Sequence, residues 1–156
     1  MHAPTSQLVS FFQSVPHTVA THRVVTLDAA RTRATSLLQE ASDRLHNAKT
    51  GVSDMTAKLH LTDDVASLCV GALAAAHGLL LQESTDVFKS SSALTALVAE
   101  LELSEESSEP LYAVRDRTGG HVQITDADAF LAHQGAFLST GLLDWTTDRV
   151  SAVLAH

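Results

Sequence analysis

The sequence predicts a mainly α-helical fold: a long amphipathic helix suited to coiled-coil pairing, and a compact helical end carrying one β-hairpin. Three observations predict it. An apolar stripe steps alternately by three and four through Leu27, Ala30, Ala34, Leu37, Ala41, Leu45, Ala48, Val52, Met55 and Leu59. Such spacing presents one narrow helix face to a partner helix, and the second step of four, Ala41 to Leu45, is a coiled-coil stutter. Composition points the same way: 45% of the 156 residues are apolar but only 4% aromatic, so alanine and leucine carry the apolar content, which favours helix over sheet. The third observation is a run from Val65 to Leu81 without one formal charge.

The elements follow in order. Residues 1–26 read as a short helix and a connection: Thr5–Val15 groups Leu8, Val9, Phe11 and Phe12 on one face, and Pro16 ends it. Residues 27–60 form the stripe helix, with Asp28 as its N-cap and Gly51 as a point where it breaks into two. Residues 61–156 make the remaining helical unit. Thr62, Asp63 and Asp64 begin a helix reaching Gln82, capped by a hydroxyl and favoured by acids at the positive end of the dipole. It is apolar nearly all round and is expected at the centre of the core. A membrane span is the rival reading of Val65–Leu81, but the run is short, rich in alanine and glycine, and lacks flanking aromatics.

A short segment at Thr85–Lys89 and a helix at Ser92–Leu103 come next, then a solvated acidic loop at Ser104–Pro110. The apolar period then reads as two. Leu111–Asp116 and His121–Thr125 flank Arg117-Thr118-Gly119-Gly120, predicting a hairpin over 111–125 with glycines in its turn. Thr125 or Asp126 caps a helix to Thr140, Gly141 interrupts it, and Leu142–Ala155 forms the last helix.

Charge restricts partners. Residues 1–60 carry six Lys/Arg against four Asp/Glu, whereas residues 61–156 carry four against fourteen, for a total of −8. The acidic part repels phosphate backbones, so nucleic acid is a poor partner for it and a basic protein a better one. The single cysteine, Cys69, excludes an internal disulfide and fits a reducing intracellular compartment, with the cytoplasm expected. A mitochondrial address is the alternative, because the first 27 residues lack acids and are rich in Ser, Thr and His.

The order helix, short helix, helix, hairpin, helix over 64–138 resembles the winged-helix domain of MarR-type regulators. Arg115-Asp116-Arg117-Thr118-Gly119-Gly120, followed by Thr125-Asp126, stands where that family has its wing and the next helix start. The resemblance implies DNA binding as a dimer. The segment in the recognition-helix place, Ser91–Glu100, has no Arg, Lys, Asn or Gln to read a base edge. A winged helix turned to protein contact fits these residues better.

No catalytic, metal or cofactor site is expected. Cys69 and His77, eight residues apart on one helix, stand about 12 Å from each other, beyond the reach of a nucleophile and its base. The nine histidines show no paired ligand spacing. Asp63/Asp64 and Asp126/Asp128 lie at predicted helix starts, where acids serve the dipole, and no EF-hand glutamate closes either pair. Gly119-Gly120 is too short to cradle a phosphate. Trp145 is read as core, with an interface anchor as its alternative.

The function expected is therefore that of a non-catalytic helical subunit or adaptor of a larger intracellular assembly, contacting other protein subunits. Its seam would be Leu37, Ala41, Leu45, Ala48 and Val52, and its polar docking point the hairpin tip of Arg115, Arg117 and His121. The two alternatives are a MarR-like DNA-binding regulator and a subunit of a mitochondrial complex with a membrane-embedded helix.

Overall fold

A computed structural model describes residues 20–22, 26–50, 55–81, 90–119 and 125–155. Within them the chain is mainly helical. The helices are α1 (Leu27–Thr50), α2 (Met55–Ala76), α3 (Ser91–Glu100), α4 (Glu105–Gly119) and α5 (Ala129–Leu154), with a 3-10 turn at Asp126–Asp128 before α5. Two three-residue strands, β1 (Ala20–His22) and β2 (Leu79–Leu81), pair antiparallel with Thr21 opposite Leu80.

The expected stripe helix is two helices. Met55–Leu59 belongs to α2, and the break at Gly51 lies outside the described residues. Gly51, Ser53 and Asp54 are all poor helix-interior residues, which accounts for a boundary there. Thr62 and Asp63 accordingly sit inside α2 rather than at its start; the Thr62 hydroxyl donates to the carbonyl of Lys58 at 3.0 Å.

α2 is the hub. From Val65 to Ala76 every residue except Leu68 is buried, and Gly78, at φ 84°, turns the chain out of the helix into β2 in a conformation glycine adopts freely. The four-residue link makes α1 antiparallel to α2, and Arg44 of α1 meets Asp64 at 2.9 Å. α5 runs parallel to α2: Gly135 lies against Thr62, and further along Cys69 approaches the carbonyl of Leu142. Ala34, Leu37 and Leu45 of α1 share one core with Val70 and Leu73 of α2, Leu94 and Leu97 of α3, Leu111 of α4, and Leu142 of α5.

The hairpin is corrected: Leu111–Gly119 is helical, the end of α4. So is the acidic loop, whose residues 105–110 form the first turns of that helix. Ser104 accepts a bond from the Ser107 amide at 3.3 Å, Glu105 and Glu106 occupy the positive end of the dipole, and Arg117 lies in the last turn. These signals outweigh Pro110, which has no N–H to offer the carbonyl of Glu106. Leu111, Val114 and Arg115 are the buried residues, and their i, i+3, i+4 spacing is helical. The winged-helix order falls with the hairpin. α3 ends in a Schellman arrangement in which the Glu102 and Leu103 amides donate to Ala99 and Val98.

Gly141 does not interrupt the last helix; α5 is continuous from Ala129 to Leu154. The Trp145 ring lies over Gly141, 3.2 Å from where a β-carbon would stand, so the glycine is filled from outside. Gly135 has a different neighbour. A β-carbon there would stand 2.7 Å from Thr62 Oγ1 and 3.2 Å from Val114 Cγ2, and Thr62 is a stiff, buried, β-branched side chain. Gly135→Ala should therefore destabilise the fold by about 1–3 kcal/mol despite alanine's better helix propensity. Gly119→Ala, with nothing within 4 Å of its β-carbon, should be neutral or stabilising by up to about 1 kcal/mol. Thermal melts of the two variants check the contrast.

Candidate functional site

Among the described residues, the buried charged side chains are engaged in ion pairs. Arg115, expected at an exposed tip, is buried: its Nε donates to Asp63 Oδ1 at 2.8 Å, one Nη to the carbonyl of Ser90 at 2.9 Å and the other to Ser67 Oγ at 3.3 Å. α4 carries the arginine inward because position 115 follows Leu111 and Val114 on the core face. Arg117 pairs with the buried Asp128 at 2.9 Å, and Asp128 Oδ2 accepts the Thr125 amide at 3.0 Å. His121 lies outside the described residues. The expected docking tip is thus corrected to two ion-pair clips, a buried one holding α4 to α2 and a half-exposed one holding α4 to the start of α5.

A third clip joins three helices at the other end. Glu100, buried at the end of α3, accepts from Arg149 Nε at 3.2 Å and stands 3.0 Å from His77 Nε2. Its carboxylate links the exit of α2 to the last turns of α5. On the surface, Arg44 bridges Glu40 and Asp64.

Cys69 is buried among α2 and α5, and desolvation pushes its thiol up to about 12, against a smaller opposite pull from the Thr146 hydroxyl. A thiol held protonated is no nucleophile. His77 is committed to Glu100 rather than to Cys69. Among the described residues no group of three His, Cys, Asp or Glu side chains is placed to hold a metal ion. α2 is long and apolar enough to cross a membrane by length and composition, and 78% of its most apolar window is buried inside the bundle.

The seam also lies inside. Leu37, Ala41 and Leu45 are buried within this one chain, with Leu37 and Leu45 in the core that α2 fills; Ala48 is half-buried, and Val52 lies outside the described residues. The stripe's partner helix is the chain's own α2. Beside it, Leu38 of α1 and Leu143, Val150 and Leu154 of α5 floor an open groove of about 620 Å³, rimmed by Arg31 and Asp144.

The surface with unmatched chemistry is the outer face of α5. Phe130 is 77% exposed, Phe137 82% and Trp145 40%. Between Ala129 and Leu143 there is no Asp, Glu, Lys or Arg. Two stripes of three-four spacing share this helix. Ala132, Gly135, Ser139, Leu142, Thr146 and Val150 are buried, while Phe130, His133, Phe137, Thr140 and Asp144 face solvent. From Ala132 to Ser139 the inward residues are small and the large aromatics face outward, whereas further along Leu142 and Val150 are buried. The inward set lets α5 approach α2 closely, and the outward set is left without cover.

Sequence reasoning missed this face. The signal available was the uncharged stretch itself, with a second stripe set beside one built from alanine, glycine and serine. No protein-family model, curated protein or solved structure matches the chain.

The Asp63–Arg115 clip has a measurable consequence. Arg115→Met leaves Asp63 as an uncompensated buried carboxylate and should cost about 3–5 kcal/mol, whereas the double change Arg115→Met with Asp63→Leu should recover most of that loss. Urea denaturation of the single and double variants reads both values.

Proposed function

We propose that this chain is a non-catalytic helical subunit or adaptor that works by packing against other protein subunits in an intracellular assembly, and that the contact is made by the outer face of α5. The observation that carries the reading is the exposure of Phe130 and Phe137 on an uncharged, regularly spaced helix face. Burying a phenylalanine side chain is worth roughly 1.5–3 kcal/mol, and aromatic residues are enriched in the cores of protein interfaces.

Charge narrows the partner. An interfacial membrane helix carries Lys or Arg beside its apolar face, and a nucleic-acid platform sets its aromatics in a basic groove. The exposed face of α5 from Phe130 to Thr140 offers neither, in a chain of net charge −8. A protein surface is the remaining class that rewards uncharged aromatics.

The test is affinity capture from native cells with the intact chain and with a Phe130→Asp/Phe137→Asp variant. Both positions are solvent-exposed, so the variant should keep its melting temperature, with a stability change within about 0.5 kcal/mol. The proteins retained by the parent should be lost from the variant. Identical captured sets would contradict the assignment of this face.

A further inference from the structure

We propose that the open groove between α1 and α5 is the seat of this chain's own segment Thr5–Val15, folded as a helix that runs parallel to α5. The groove is lined by α1 from Arg31 to Ser42 and by α5 from Leu143 to Ala155. α1 is antiparallel to α2 and α5 is parallel to it, so Arg31 lies at the end where α5 finishes and Asp144 at the other. The helical rise from residue 31 to residue 42 makes the seat about 16 Å long. Beside the leucines and the valine of its floor stand the uncharged Thr35, Gln39, Ser42, Thr147 and Ser151.

Residues 1–19 lie outside the described residues, and their sequence matches the seat in length, face and charge. As a helix, Thr5–Val15 is also about 16 Å long. At about 100° per residue, Leu8, Val9, Phe11, Phe12 and Val15 gather on one side and Ser6, Gln7, Ser10, Gln13 and Ser14 on the other. The segment has no Asp, Glu, Lys or Arg, so it sets no unpaired charge against the polar walls. The connection brings it to the right place. β1 pairs with β2, which leaves α2 at Gly78, so Ala20 stands at the end where α1 begins and α5 finishes. Residues 16–19 reach up to about 13 Å, more than the roughly 8–10 Å between neighbouring helix axes. Leu27, 54% exposed and one turn before Arg31 on α1, lies along that path. Pro16 stops the helix where the chain must leave the groove.

The tether also fixes direction: Val15 lies at the Arg31 end and Thr5 at the Asp144 end. Reversed, Val15 would stand about 16 Å from the exit, beyond the reach of residues 16–19. Neither Arg31 nor Asp144 has an ion-pair partner among the described residues. The seated helix answers both. Its C-terminal carbonyls, the negative end of its dipole, meet Arg31, and its N-terminal amides, the positive end, meet Asp144. A segment tethered this closely is present at an effective concentration on the order of millimolar, so modest complementarity seats it ahead of a separate protein. This contact is distinct from the one assigned to Phe130 and Phe137.

Amide hydrogen exchange and disulfide trapping on the purified full chain test this. The amides of Val9–Val15 should exchange roughly 10-fold or more slowly than in an unstructured chain. Leu8→Asp/Phe12→Asp should abolish that protection. So should Thr147→Arg, which sets a long charged side chain in the middle of the seat from an exposed position on α5. Both variants should leave the protection of Val65–Ala76 unchanged, which shows that the fold is intact. Charge reversal of Arg31 or Asp144 should lower the protection by roughly 2–5-fold each. Direction is read by trapping, for which the buried Cys69 is no competitor. Thr5→Cys/Ser42→Cys should close within one chain, whereas Thr5→Cys/Thr35→Cys, about 10 Å away along α1, exceeds disulfide reach and should not. Exchange of Val9–Val15 at unstructured-chain rates, or equal trapping by both cysteine pairs, would overturn the proposal. An unprotected segment combined with loss of captured proteins from Thr147→Arg would give the groove to a different protein. These readings use the chain alone, so they fail separately from the capture that tests Phe130 and Phe137.

Discussion

The rest of the structure depends on the need to cover α2 on every side. A helix apolar nearly all round is unstable in water unless other elements wrap it, because each exposed leucine or valine forgoes roughly 1.5–3 kcal/mol of burial. Its small residues Gly71, Ala72, Ala74 and Ala75 leave little bulk of their own, so neighbours must come close to exclude water. α1 supplies the alanine-rich stripe for one side, α5 supplies Gly135 and Ser139 for another, and α3 and α4 complete the enclosure. Close approach then dictates where polar groups can go. Arg115 and Glu100 reach inward because each finds partners there, Asp63 and Ser67 midway along α2 for Arg115, and His77 and Arg149 for Glu100. Leaving either unpaired would cost several kcal/mol.

The same constraint explains the exposed aromatics. From Ala132 to Ser139 the inner residues of α5 are small, and the phenylalanines beside them lie on the outer face. Phe130 and Phe137 are displaced outward by Ala132, Gly135 and Ser139, not stranded by irregular packing. Such a surface is a liability for a lone acidic monomer and an asset for a subunit. The close approach of α5 to α2 and the outward placing of the phenylalanines thus go together between Ala132 and Ser139.

Much of this is legible in the sequence. The central burial of Val65–Ala76 follows from its lack of charge, and the helical stripe from Ala30 to Leu45 follows from its spacing. What spacing does not carry is the identity of the helix that fills a seam; an intramolecular neighbour and a second protein leave the same pattern in the sequence. The hairpin misreading has another origin. Tyr112, Val114, Val122 and Ile124 show a period of two, and Gly119-Gly120 supplies a turn, yet Ser104, Glu105 and Glu106 encode a helix start whose influence reaches to Gly119. A local two-residue period lost to a helix capped at Ser104, seven residues before Leu111. Arg115 was misplaced for the same reason, since a hairpin tip is exposed and the core face of α4 is not. Charge alone gives no indication that Asp63, fifty-two residues earlier, is its partner.

Amide hydrogen exchange tests the hub role of α2 most directly. If the other helices enclose it, the amides of Val65–Ala76 exchange only through global unfolding, with an opening free energy equal to that measured by denaturant, while amides on the solvent face of α1 and near the ends of α5 exchange through smaller openings. Exchange of the Val65–Ala76 amides at the rate of the exposed face of α1 would show that α2 is not the enclosed element, and the account of the fold built on it would fail.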